Sequence, residues 1–416
     1  MRATRVKAVR TDCLRGALLF TRFEDLAGKL NSAVPTMRLC FIMLVLLALG
    51  GCGGPRAVLG LPVASSSAAQ PQAIVPIYVA TTRARSDNLS LPYSAERSKT
   101  LNFAKLDIGI PQNHVPGRVE KSGRVPDPSR HFSARTFQPI EQRQEFIRQL
   151  NAALAQRAPE NREIFIFVHG YNNNFADSVF RNAQITYDYN IKSVSLHYAW
   201  PSGAALPLYV FDRDSALVGR RGLAETIEIA AQTNAKRIVL VGHSMGAYVV
   251  TEALRDLALR GRTNTLNRLG GVVLAAPDID VDVFQSQLDD IGDIPRPFTI
   301  VVSRRDRALG FSRRLAGGHP RVGSGSDIAM LQEREIAVID VSDVDGGRHS
   351  VFASSPTLMD VVNNDALMRS VLRDDQGTAG QTMLADGASV IEGAASLVIF
   401  LPSRIIGGIA QATAGQ

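Results

Sequence analysis

Between Ile238 and Val250 the chain reads IVLVGHSMGAYVV, an apolar run, two glycines flanking a serine, and then a second apolar pattern. Ile238 to Val241 have the unbroken apolar character of a strand buried on both faces. Ala247, Val250, Leu254 and Leu257 then recur at helical spacing. Only five residues, Gly242 to Gly246, separate the two patterns, so they must form a tight strand-to-helix turn with Ser244 at its apex. Glycine fits on either side because a Cβ there would meet the crossing backbone.

Such a turn is the form of G-x-S-x-G that lifts a serine hydroxyl above the carboxyl edge of a sheet. The Met245 N–H, first in the helix, is then placed to stabilise an oxyanion. The plainer reading is a serine capping an ordinary helix. A serine hydroxyl is a poor nucleophile without a base, and that base needs an acid to orient it. In this architecture they follow in the order serine, acid, histidine. Only His319 and His349 come after Ser244. His349, in the glycine-containing loop DVDGGRHSVF just after the last predicted strand, is assigned as the base. Asp306, in FTIVVSRRDRAL, leads for the acid, with Asp278 and Asp280 of VVLAAPDID as competitors one strand earlier. The stretch IFIFVHGYNNNF supplies a second oxyanion donor, the Tyr171 N–H, with Gly170 permitting the turn. His169 and Asn172 to Asn174 are expected to stabilise that loop.

Apolar strands are predicted at Ile77 to Ala80, Leu106 to Ile110, Ile164 to Val168, Val194 to Tyr198, Ile238 to Val241, Val272 to Ala275, Phe298 to Val302 and Ile336 to Val341. Helical spacing between them, as at Phe146 to Ala155 and Ala216 to Ala231, gives the alternation of a mainly parallel sheet covered on both faces.

All three cysteines, Cys13, Cys40 and Cys52, lie ahead of these strands, which leaves no disulfide framework or Cys-ligated zinc site downstream. Leu39 to Leu49 is an apolar run of 11 residues. As a helix it is about 16 Å long against the roughly 30 Å of a bilayer core, too short to span. It reads as the apolar region of an export signal. The LGGC that closes it, Leu49 to Cys52, resembles a bacterial lipoprotein processing box, which implies lipidation of Cys52 and a membrane-anchored protein of the cell envelope. The expected division is 1–36 as a long leader or misassigned start, 37–52 as signal, 53–75 as linker, 76–372 as the domain and 373–416 as a small, apolar tail. That tail is expected to be a flexible extension, a membrane-contacting helix or a packing arm. The formal charge of +7 does not mark a nucleic-acid binder, because residues 1 to 38 supply +5 of it and no basic stripe with interleaved aromatics follows.

Taken with ATTR at Ala80 to Arg83, IPQNHVPGRVE at Ile110 to Glu120 and YAWPSG at Tyr198 to Gly203, these motifs resemble the α/β-hydrolase superfamily, in a bacterial branch labelled esterase/lipase-like. The resemblance implies an α/β-hydrolase fold, with a mostly parallel eight-stranded sheet and helices on both faces. It also implies hydrolysis through Ser244, Asp306 and His349. A serine esterase acting on a small-molecule or lipid ester is expected. A non-catalytic envelope lipoprotein, or an amidase, peptidase or acyltransferase on the same triad, is the alternative. No metal or organic cofactor is expected, since H-E-x-x-H, Walker and dinucleotide signatures are missing.

Overall fold

A computed structural model describes residues 56–60, 70–123, 125–363, 381–384, 388–391 and 397–400 of the 416-residue chain. The expected signal segment, its processing box and Cys52 lie outside the described residues.

The parallel centre of the sheet is built from the segments predicted by their apolar runs. In chain order these are β1 (Ala73–Arg85), β4 (Ile164–Val168), β5 (Val194–Ala199), β6 (Ile238–His243), β7 (Leu269–Ala275), β8 (Phe298–Val302) and β9 (Ala337–Asp340). Antiparallel strands β2 (Tyr93–Ile110) and β3 (Ser133–Ile140) extend one edge. Strands β10 (Gln381–Leu384), β11 (Ala388–Ile391) and β12 (Leu397–Phe400) extend the other, also antiparallel. The spatial order is β10-β11-β12-β9-β8-β7-β6-β4-β5-β1-β2-β3.

The sheet therefore has twelve strands where eight were expected. β3 escapes a sequence reading because SARTFQPI has no continuous apolar run and carries Pro139, which edge strands tolerate. The last three strands fall inside the segment set apart as a tail from residue 373. The linker expected over 53–75 also differs. Ala57 and Leu59 are fully buried in the core, the Leu59 amide donates to Ser90 O and the Leu59 carbonyl accepts from Ala134, while β1 begins at Ala73. Two small or branched apolar residues in alternation suffice to seat such a segment, but among Gly, Pro and Ser they give no readable period.

Period two explains the layering. Ile164, Ile166 and Val168 face one cluster and Phe165 and Phe167 the opposite one. The first face is covered by α1 (Arg143–Ala155), α3 (Tyr209–Ala231), α4 (Met245–Leu259) and α5 (Val281–Ile291). On the second, α2 (Phe175–Asp188) packs against β1, β2 and β5. The helical face read from the sequence, Ala247, Val250, Leu254 and Leu257, is buried throughout.

The chain leaves β4 toward β5 on one side, whereas β6 returns on the other. The crevice between the carboxyl ends of β4 and β6 is a topological switch point, the place where open α/β sheets bind ligands. Val168 pairs with Gly242 and His243 with Ala275, so the loops after β4, β6 and β7 start at one level. β8 and β9 end together at Val302 and Asp340.

Candidate active site

Ser244 follows β6 directly and precedes the first residue of α4. Its amide donates to Ala275 O at 2.9 Å, prolonging the β6–β7 ladder by one bond before the chain turns. The turn forces φ 55° and ψ −123° on Ser244, a conformation that costs a non-glycine residue about 1–3 kcal/mol. Both flanking glycines are sterically required. A Cβ on Gly242 would lie 2.8 Å from Ala247 Cα, and one on Gly246 would run into the carbonyl oxygens of Val168 and His169. Ser244 is 4% exposed, caps nothing, and its hydroxyl is not among the sealed, unpaired polar atoms of the described residues. The plain role of a helix-capping serine is thereby excluded.

Asp306 caps α6 (Arg307–Leu315), its Oδ1 accepting from the Ala308 and Leu309 amides at 2.9 and 3.0 Å. The same carboxylate offers Oδ2 to His349, whose Nδ1 donates at 2.6 Å. The acid's side chain is wholly buried while the imidazole keeps 26% of its surface exposed. With its proton held on Nδ1, a neutral His349 carries its lone pair on Nε2. His349 is fixed from behind as well. His243 Nε2 donates to its carbonyl at 3.0 Å, and the two rings lie 5.0 Å apart. Burial, with His349 adding to it, lowers the His243 pKa to about 3, so His243 is a neutral donor. Ser303 Oγ donates to Gly347 O at 2.6 Å and anchors the loop. No hydrogen bond joins Ser244 Oγ to His349 among the described residues; in free enzymes such bonds are often long and tighten with substrate.

The two competing aspartates have other partners. Asp278 Oδ2 accepts from Tyr209 Oη at 2.9 Å and its Oδ1 from Ser312 Oγ at 2.5 Å, with buried Arg321 Nε at 3.3 Å. Asp280 caps α5 through the Asp282 and Val283 amides.

The loop after β4 abuts the serine. A Cβ on Gly170 would meet Ser244 Cβ and His243 Nδ1 at 3.0 Å each. The Tyr171 and Met245 amides make no hydrogen bond among the described residues. The asparagines hold this loop as expected. Asn173 Nδ2 donates to Gly170 O at 3.1 Å and Tyr171 O at 2.9 Å, Asn172 takes φ 62°, and Asn174 forms a capping box with Asp177 on α2. His169 stacks on Trp200 with centroids 5.0 Å apart, and Trp200 Nε1 donates to His169 O at 2.7 Å. Burial, with Arg83 next, holds the His169 pKa well below its ordinary value.

Sequence reasoning missed the residues that clamp the loop from below. The guanidinium of Arg83, which is 1% exposed, donates to Asn173 O at 2.8 Å and to Ser202 O and Ser94 O at 3.1 Å. Fully buried Asp212 accepts from Ser202 Oγ and Gly203 N, both at 2.5 Å, and from Asn172 N at 3.4 Å. Burial lowers the Arg83 pKa to about 10 and raises that of Asp212. The motifs ATTR and YAWPSG contained Arg83 and Ser202, but nothing local connects them to the loop.

A serine on a strained turn, a buried aspartate bonded to a histidine, and unpaired amides at the carboxyl edge of a parallel sheet define the α/β-hydrolase class. Residues 142–369 match the profile of the family described as "alpha/beta hydrolase of unknown function" (DUF900), and the chain belongs to that family. Among solved structures it is similar to carboxyl esterase 2 from Tuber melanosporum, at 12% identity over 79% of this chain and 94% of that one, TM-score 0.35. It is also similar to esterase B from Lactobacillus rhamnosis, at 9% identity over 74% and 91%, TM-score 0.32. Similarities this loose carry no information on substrate. A search of curated proteins finds no match.

Proposed function

We propose that this hydrolase is a serine esterase working through an acyl-enzyme intermediate. Ser244 Oγ attacks the ester carbonyl while His349 Nε2 takes its proton, and the charge on the resulting imidazolium is balanced by Asp306. The Tyr171 and Met245 amides receive the oxyanion. The tetrahedral adduct expels the alcohol, which leaves with the proton from His349. Water, activated by the same imidazole, then releases the acid and regenerates the serine. The observation that carries this reading is the 2.6 Å bond from His349 Nδ1 to buried Asp306, at the same sheet edge as the strained turn that holds Ser244.

A fluorophosphonate probe tests it. Wild type is expected to be labelled and Ser244→Ala not; an unlabelled wild type makes the protein a scaffold. p-Nitrophenyl esters set against aminoacyl and peptide substrates separate esterase from amidase or peptidase activity, with esters expected to turn over faster.

The reading includes export and anchoring at the bacterial envelope membrane by acyl chains on Cys52, supported by the LGGC that ends the apolar run. Incorporation of a fatty-acid analogue that is lost in Cys52→Ser is the expected result.

A further inference from the structure

The α6 helix begins at the acid of the site and is amphipathic in an unusual sense. Leu309 and Ser312 are buried, while Phe311 and Leu315 point outward, 60% and 55% exposed. The helix has no acidic residue. Arg307, Arg313 and Arg314 are exposed and form no ion pair among the described residues. Their neighbours differ, since Arg304 is paired with Asp340 at 3.3 Å and Arg305 with Asp343 at 2.5 Å.

Beside α6 lies the turn that opens α3, where Leu206, Leu208 and Val210 are 53%, 41% and 73% exposed. The two segments touch through Tyr209 Oη and Ser312 Oγ, 2.9 Å apart. The turn also borders the proposed oxyanion loop, because Tyr171 Oη donates to Ala205 O at 3.2 Å. Five of the fourteen exposed large apolar side chains among the described residues fall on these two short segments, so the apolar surface is gathered at the rim of the site.

We propose that α6 and the Leu206–Val210 turn form a docking surface for an anionic phospholipid bilayer, which holds the mouth of the Ser244 site against lipid. The charge pattern selects this occupant. Unpaired arginines interleaved with outward Phe and Leu match a layer that is anionic at its surface and apolar a few ångströms below. Arginine stems can lie on the acyl boundary with their guanidinium groups at the phosphates. Nine residues cannot cross a bilayer, so the helix lies in the interface. That the bilayer delivers an ester rests on the esterase reading; the docking does not.

The test reads location, not activity. In the full chain with Cys13, Cys40 and Cys52 replaced by Ser, an environment-sensitive fluorophore is placed on Gly310→Cys, where a Cβ meets nothing within 4 Å. A control places it on Glu160→Cys, in the turn that precedes β4, at the opposite end of the sheet. Phosphatidylglycerol vesicles are expected to enhance emission at 310 and expose it to lipid-borne quenchers, with no response at 160 and none from phosphatidylcholine. Replacing Arg307, Arg313 and Arg314 together by Gln lowers the apparent affinity on the order of 100-fold. A silent label at 310, or equal responses to both lipids, overturns the proposal. So does a label already shielded before vesicles are added, which would mean that the chain itself or a second copy covers the patch. Failure of the esterase reading shows separately, as missing fluorophosphonate labelling.

Discussion

Asp278 and Asp306 leave adjacent parallel strands at the same end of the sheet, and both are nearly sealed from water, at 5% and 6% exposed. Their carboxylates are used differently. Asp278 spends both oxygens on hydroxyls of Tyr209 and Ser312 and on the buried guanidinium of Arg321, tying α3, α6 and the 316–321 loop together. Asp306 satisfies one oxygen with backbone amides of its own helix and keeps the other for His349. The helix cap thus fixes the carboxylate, and the remaining oxygen can orient an imidazole without a second side-chain claim on it. Position at a strand end is therefore insufficient to define the acid; the partners decide.

The largest effect should come from Asp306→Asn. Asparagine can keep the cap but presents the wrong partner to Nδ1, so kcat should fall by about 10⁴ with little change in the urea midpoint. A near-normal rate would transfer the role elsewhere.

Asp278→Ala should show the reverse pattern. Removing one partner of buried Arg321 costs about 3–5 kcal/mol of stability, read by urea unfolding. The kcat of the folded protein should stay within about tenfold of wild type. A loss of rate comparable to that of Asp306→Asn would erase the contrast.

The histidines divide in the same way. His349 is partly exposed and carboxylate-paired, whereas burial lowers the pKa of His197 and of His243 to about 3 and holds that of His169 well below 6.5. The unfolded chain protonates all three as pH falls through 6.5 while the native state does not. Their neutral burial therefore stabilises fully above 6.5, and stability drops on acidification by up to about 1.4 kcal/mol per pH unit for each. His114 opposes this. Burial lowers its pKa, but bonds to Asp188 and Glu120 raise it overall, so its contribution is present at low pH and is lost as pH rises through its folded value. Urea midpoints at pH 7.5 and 5 should fall with acidity, and His197→Gln should flatten the slope by at least about one third, since His114 offsets part of the total.

The smallest effect is expected at Asp280, which caps α5 and meets the Arg321 guanidinium only at 4.0 Å. Asp280→Ala should cost about 1 kcal/mol in urea unfolding and leave kcat unchanged. A loss of rate would mean that this aspartate has a second task.

The sequence was most readable where physics is local. Doubly buried parallel strands are continuous apolar runs, and the turn at Ser244 is readable because only glycine fits beside it. The edge strands gave little signal: β10 to β12 are short, and β3 has no continuous apolar run and carries Pro139. Asp306 and Asp278 look alike in sequence because both simply follow a strand. What separates them are Tyr209, 69 residues before Asp278, and Ser312 and Arg321, which both follow Asp306. The Arg83 clamp was unreadable for the same reason: two of its three acceptors lie 90 and 119 residues downstream, and no periodicity encodes a guanidinium bonded to carbonyls.

Trapping the covalent intermediate tests the central claim most directly. After brief exposure to p-nitrophenyl acetate and acid quench, mass spectrometry of the digested protein should find an acetyl group on the peptide carrying Ser244. The trapped adduct should be absent in Ser244→Ala and should form far more slowly in Asp306→Asn. Rapid ester turnover with Ser244 unmodified, or acetylation of some other residue that survives Ser244→Ala, would contradict the account.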